Sequence, residues 1–135
     1  ALFEGSRCVA AGASDTASAL VALDASMVIR NQNGETVVSA EDFFVGPAND
    51  IINTTILRPG DILTTVRIPN TWANAEFYFE KVADRNVWDF ALVNVAAAFR
   101  TSGENIEDAR IVCGAVECVP IKNAVSLNEE LHAHN

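Results

Sequence analysis

The run Leu92-Val93-Asn94-Val95-Ala96-Ala97-Ala98-Phe99-Arg100 decides what kind of fold this chain can adopt. Its alanines favour helix by intrinsic propensity. Yet Val93, Val95, Ala97 and Phe99 alternate along it, which is the two-residue period of a strand. Ser102-Gly103 then makes a tight turn, and Ala109 to Val116 is a second apolar run that can return beside the first. We read the two runs as strands of one hairpin. On the N-terminal side, Glu76 to Val82 alternates as well and reads as a further strand.

Further upstream the pattern changes period. Residues 14 to 25 read as a helix: Ser14 is a good N-cap, Asp15 suits the positive end of the helix dipole, and Ala17, Leu20, Val21 and Ala25 form an apolar stripe. Met27 to Arg30 and Thr36 to Ser39 read as paired strands joined at Asn31-Gln32-Asn33-Gly34, where Asn33-Gly34 predicts a type I′ turn. Ala40 to Phe44 reads as a short helical turn anchored by Phe43 and Phe44. Gly46 to Asp50 is a loop, and Asn53 to Ile56 is a candidate edge strand. Arg58-Pro59-Gly60-Asp61 has proline and glycine in the order of a tight turn, and Ile62 to Ile68 is a strand stopped by Pro69. Ser126 with Glu129 predicts a capped helix over 127–132. The whole is an α+β pattern, and the polar stretch 69–75 divides it into residues 1–69 and residues 70–135.

Composition narrows the function. Half of the 135 residues are hydrophobic and a fifth are charged, as in a globular domain with a real core. The net charge is −9, with two lysines, Lys81 and Lys122, and seven dispersed arginines. Nucleic-acid binding has no electrostatic footing on such a chain. No apolar run approaches the ~18–20 residues of a membrane span, and Glu4 and Arg7 interrupt the start where a signal peptide would be apolar. A soluble, cytoplasmic protein is the expectation. Cys8, Cys113 and Cys118 are an odd number of thiols, against a secreted disulfide framework. His132 and His134 both lie in the C-terminal tail, so neither pairs plausibly with a serine or cysteine nucleophile, and no further metal ligands accompany them. Neither a Gly-x-Gly-x-x-Gly fingerprint nor a phosphate-binding Walker loop occurs.

Several residues have a plain structural reading, and some a functional one as well. Asp15 either pairs with the helix dipole or faces a ligand hydroxyl. Lys81 is either a solvated strand charge or a cation beside an electron-rich ring. Ile62 and Leu63 read as core residues after a turn. Trp88, beside Asp89, reads as a large anchor between lobes.

Taken in order, these segments carry a resemblance. Ser14-Asp15 opens a helix ending in Leu23-Asp24-Ala25. Then come Leu57-Arg58-Pro59-Gly60-Asp61-Ile62-Leu63, Arg67-Ile68-Pro69, Phe79-Glu80-Lys81-Val82-Ala83-Asp84-Arg85, Asp89-Phe90-Ala91-Leu92-Val93 and Asp108-Ala109-Arg110-Ile111. This order and spacing resembles the FAD-binding (medium) subunit of the xanthine dehydrogenase and carbon monoxide dehydrogenase family, the molybdenum hydroxylases, over essentially the whole chain. The opening Ala1 to Ala10 is similar to one bacterial and archaeal branch. Some members of that branch carry an iron–sulfur cluster just upstream, but Cys8 is a single thiol and a cluster needs about four ligands.

The resemblance implies the second half of a PCMH-type FAD-binding lobe over 1–69. Residues 70–135 would then be a lobe like the C-terminal domain of carbon monoxide dehydrogenase flavoproteins. Asp15 matches the family aspartate that contacts FAD, Ile62 and Leu63 the apolar pair near the flavin, and Lys81 the lysine on the strand beside it. Gly5 falls in the loop that approaches the cofactor backbone, although the usual Gly-Gly-Asn is absent there. A fixed cation such as Lys81 would favour the electron-rich reduced ring. In the family, a large subunit holds the molybdenum cofactor, a small subunit holds iron–sulfur clusters, and FAD passes their electrons to an external acceptor. The family's first flavin lobe, with its glycine-rich pyrophosphate loop, has no counterpart here, so a fragment is expected. The alternative is a cofactor-free module for docking partner subunits, or a relative that no longer binds FAD.

Overall fold

A computed structural model of the chain describes residues 11–103 and 105–123. The helix expected over 127–132 lies outside them, as do Gly5 and Cys8. Helix α1 spans Asp15–Ala22, and the strands β1 (Ser26–Asn31) and β2 (Gly34–Ser39) follow as a hairpin. The short helix α2 is Ala40–Phe43, and β3 is Ile62–Arg67. After a 3-10 turn at Asn70–Trp72 come β4 (Glu76–Val82), β5 (Val93–Ser102), β6 (Asn105–Gly114) and β7 (Ile121–Asn123). The fold is α+β, and among the described residues there are two antiparallel sheets, ordered β2-β1-β3 and β4-β5-β6-β7.

The alternation in Leu92 to Arg100 prevails over its helix propensity because β5 is an interior strand. Asn94, Ala96 and Ala98 share one face of it, and α1 packs on that face. Small side chains let the helix come close. Val21 and Ala22 of α1 meet Ala96 and Val112 in a buried cluster that continues through Ala25, Met27, Ile29, Ala40 and Phe43. Residues on both sides of the polar 69–75 stretch therefore share one core. Burying each large aliphatic of this cluster contributes about 1.5–3 kcal/mol.

That polar stretch also holds the main anchor. Trp72 is 3 % exposed, and its indole Nε1 donates to Asp24 Oδ2 at 3.0 Å. The guanidinium carbons of Arg100 and Arg110 lie 5.7 and 5.5 Å from its ring centre. Arg110 also pairs with Asp24 and reaches the Val21 carbonyl. Asp24 takes a left-handed backbone (φ 53°) and ends α1 three residues earlier than the apolar stripe predicts. The expected anchor, Trp88, is instead 95 % exposed.

Local turns differ in instructive ways. Arg58-Pro59-Gly60-Asp61 closes as expected: the Asp61 N–H donates to the Arg58 carbonyl at 2.9 Å, and Gly60 sits at φ 93°. The β1–β2 hairpin does not use Asn33-Gly34 as a type I′ pair. Asn31 pairs with Gly34, so Gln32-Asn33 form the tip, and neither has positive φ. The Asn31 side chain captures the Asn33 N–H at 2.8 Å, and this local bond selects the other turn. The edge strand expected over 53–56 reduces to one bridge between Thr55 and Phe44. In β3, Thr64 bulges out between the pairs Val28–Thr65 and Ile29–Leu63, and its hydroxyl donates to the Val28 carbonyl at 3.1 Å.

Trp72→Ala is expected to cost about 3–5 kcal/mol of unfolding free energy, as for a buried aromatic. Trp88→Ala is expected to stay within about 0.5 kcal/mol. Urea titration of the two variants checks this, and equal losses would contradict the assignment of Trp72 as the anchor.

Candidate functional site

One rung of the four-stranded sheet carries the chemistry. Lys81 on β4 pairs with Asn94 on β5, and Asn94 pairs with Gly114 on β6. Side chains on one rung share a face, and this rung lies beneath the first turn of α1. Asp15 opens that turn, and Ser18 stands on the same side of the helix one turn later.

The side chains interlock. Lys81 Nζ donates to Asp15 Oδ2 at 2.7 Å, across 66 residues of sequence, and to the Asp89 carbonyl at 2.7 Å. Asn94 Nδ2 donates to Asp15 Oδ1 at 3.3 Å. Ser18 Oγ donates to Asn94 Oδ1 at 2.7 Å. An ammonium has three N–H donors, and two of those on Lys81 are taken among the described residues. The Asp15 carboxylate retains acceptor capacity. Both side chains are about a third exposed, so the ion pair itself contributes only about 0–1 kcal/mol to stability. Fold stability gains little from it, whereas a ligand would meet an oriented donor and acceptor side by side.

A recess of about 210 Å³ opens next to Lys81, lined also by Arg85, Trp88 and Asp89. The loop around it is braced. Asp89 Oδ2 accepts from the Arg85 N–H and Asp89 Oδ1 from the Phe90 N–H, each at 3.0 Å. Arg85 Nη2 donates to the Trp88 carbonyl at 3.2 Å, and the Leu92 N–H closes the loop onto the Val82 carbonyl at 2.8 Å. Trp88 stands at its tip with φ 56°, an uncommon conformation for so bulky a residue. The recess is smaller than the ~300–1,000 Å³ of ordinary small-molecule pockets. The described residues thus supply part of a ligand's surroundings.

Of the residues singled out from sequence, the structure brings Asp15 and Lys81 together. Ile62 and Leu63 stand elsewhere, on β3 opposite Arg30 and Ile29 in the other sheet. They are not core residues after a turn: Ile62 is 65 % exposed and Leu63 is also exposed. The turn before them is held by Asp61, whose carboxylate accepts from Asn31 Nδ2 and from the Arg58 N–H, each at 2.8 Å. Those bonds, the Asn31 one foremost, hold the Asp61 carboxyl below the ordinary carboxylate range. Asn94 and Ser18 were missed. Their one sequence signal is that Asn94 interrupts an apolar run, and a buried amide must find hydrogen-bond partners. Among the described residues no group of three or more His, Cys, Asp or Glu side chains could hold a metal ion, and no helix is long and apolar enough to cross a membrane.

Residues 3–71, just over half of the chain, match the family described as the FAD binding domain in molybdopterin dehydrogenase. The chain belongs to that family. It is 33 % identical over 110 residues to the glyceraldehyde dehydrogenase medium chain of Sulfolobus acidocaldarius, covering 82 % of this chain and 37 % of the relative. It is 32 % identical over 114 residues to the aldehyde oxidoreductase FAD-binding subunit of Escherichia coli, covering 84 % of this chain and 34 % of the relative. Among solved structures it is similar to quinoline 2-oxidoreductase from Pseudomonas putida 86, with a TM-score of 0.70 and 32 % identity over 84 % of this chain and 37 % of that one. The chain thus spans little more than a third of the length of these relatives.

The bonds to Asp61 make the 58–61 turn pH-dependent. A depressed folded pKa means that they stabilise above the ordinary carboxylate range, about pH 3.9. That contribution is lost as pH falls through the lower folded value. Acid titration of the carboxyl carbons by NMR should show Asp61 titrating below that range, and Asn31→Ala should move it back up. An Asp61 that titrates normally in the parent chain would contradict the assignment.

Proposed function

We propose that this chain is the part of a flavoprotein subunit that holds FAD in a molybdenum-dependent hydroxylase or dehydrogenase. The observation that carries this is the contact of Asp15 with Lys81, which lines a recess, in a chain of the FAD-binding family. The donor set suits the cofactor. Lys81 offers a cation and N–H donor for an electron-rich ring, and Asp15 has acceptor capacity for a hydroxyl. Ile62 and Leu63 offer apolar surface that a bound ligand can cover and that would exclude water. Gly5 is proposed to let backbone approach the cofactor.

When bound, FAD supplies a redox couple between iron–sulfur clusters in a small subunit and an external acceptor, with a molybdenum cofactor in a large subunit. This chain's residues hold and tune it. The Lys81 charge raises the potential of the couple, because it stabilises the added electron density more than the oxidised ring. Asp89, through its carbonyl, keeps Lys81 aimed while Asp15 partly neutralises it. A cytoplasmic setting suits this electron-transfer role.

A second reading, docking of partner subunits without a cofactor, has one observation in its favour. The edge strand β4 leaves Phe77, Tyr78 and Phe79 exposed. Flavin content of the purified subunit separates the two.

In the full-length subunit, Lys81→Met is expected to weaken FAD binding about 10- to 100-fold, the range for a charge-assisted hydrogen bond. It should also lower the midpoint potential by tens of millivolts, on the scale of about 30 mV per 1.4 kcal/mol. Fluorescence titration and potentiometry read the two effects. Unchanged affinity together with unchanged potential would refute the role of Lys81.

A further inference from the structure

We propose that Asn94, set by Ser18 and given room by Gly114, is a positioning residue that fixes the orientation of the Asp15 carboxylate for the cofactor. The proposal rests on the flavin reading above. It concerns residues that lie under the site and do not face the recess.

Asn94 is 1 % exposed and Ser18 is fully buried. A buried amide without partners costs about 1–3 kcal/mol, so its bonds determine which way it points. Only one amide orientation satisfies this pair of neighbours. The Asp15 carboxylate accepts and never donates, so the Asn94 NH2 must face it and the Asn94 carbonyl must face Ser18. A flipped amide would set oxygen against oxygen at Asp15. Asp15 therefore selects the direction of the amide, Ser18 holds the amide oxygen in place, and the amide NH2 takes one carboxylate oxygen. Lys81 takes the other. With both oxygens held, the carboxylate plane can no longer turn about its last torsion, which is otherwise a broad one.

Gly114 makes room for this arrangement. A Cβ added there would sit 2.4 Å from Asn94 Oδ1 and 3.1 Å from its Cγ, with no other atom as close. The Gly114 backbone is not in the left-handed region, so φ does not demand glycine there. What demands it is the Asn94 amide lying across the neighbouring strand. An alanine at 114 would push that amide towards α1 and out of register with Asp15.

A purely structural role for Asn94 would be to satisfy Ser18 and the sheet. That role makes a different prediction, because it loses stability without touching the cofactor. The test uses the full-length subunit, stripped of FAD and titrated with FAD, with flavin fluorescence giving Kd and thermal unfolding run in parallel. Asn94→Leu keeps the shape and removes both bonds; it should weaken FAD binding about tenfold. Ser18→Ala should weaken it about threefold, since the amide keeps its bond to Asp15 but loses its setting. Gly114→Ala should weaken it through displacement alone. In an Asp15→Asn background, Asn94→Leu should add less than about twofold, because residues acting through one another are not additive.

Asn94→Leu with a lowered Tm and an unchanged Kd would overturn the proposal, as would full additivity with Asp15→Asn. Should Asn94→Leu fail to fold, Ser18→Ala decides: an unchanged Kd overturns the proposal and a threefold loss supports it. A parent subunit that takes up no FAD would refute the flavin reading itself. That result differs from a parent that binds FAD and variants that bind it equally well.

Discussion

Close contact between α1 and β5 is the constraint on which the rest of the structure depends. The helix can rest on the sheet because Ala96 and Ala98 offer almost no side chain on the facing side. Larger residues would hold α1 away and open the shared core. The same contact fixes where the helix begins. Its first turn lands above the rung of Lys81, Asn94 and Gly114, and Asp15 meets Lys81 there. Packing chosen for size thus delivers two opposite charges to one place. The far end of α1 is tied by Asp24 to Trp72 and Arg110, so the helix is fixed along its length.

Much of this was legible in the sequence because it depends on period and punctuation. Alternation gave β4 and β5, the tight turn at Ser102-Gly103 gave β6 as the hairpin partner of β5, and the apolar stripe with Ser14-Asp15 gave α1. Proline followed by glycine gave the 58–61 turn. What could not be read was decided by particular side-chain bonds, one of them local and the others between segments distant in sequence. Asn31 bonds within the hairpin and displaces the expected type I′ turn. Trp72 lies in a stretch whose polarity marks a boundary, yet two arginines from β5 and β6 enclose it. Asp24 ends the helix early because its side chain is committed to Trp72 and Arg110.

The candidate site shows the same division. Asp15 and Lys81 could be named because the order of the segments that carry them resembles the family, each signal alone being weak. That they touch is a product of the fold. Asn94 and Ser18 carried only the faint mark of polar residues on apolar faces. Ile62 and Leu63, which by composition alone belong in a core, are exposed on β3. The Arg58–Asp61 turn and the Thr64 bulge flank them and set how they are presented.

The most direct measurement is a crystal structure of the full-length subunit with FAD bound. The account predicts Lys81 Nζ within hydrogen-bond distance of the cofactor, with Asp15 still held between Lys81 and Asn94. Cofactor seated away from Lys81 and Asp15, with that pair closed on itself as a plain surface ion pair, would contradict it.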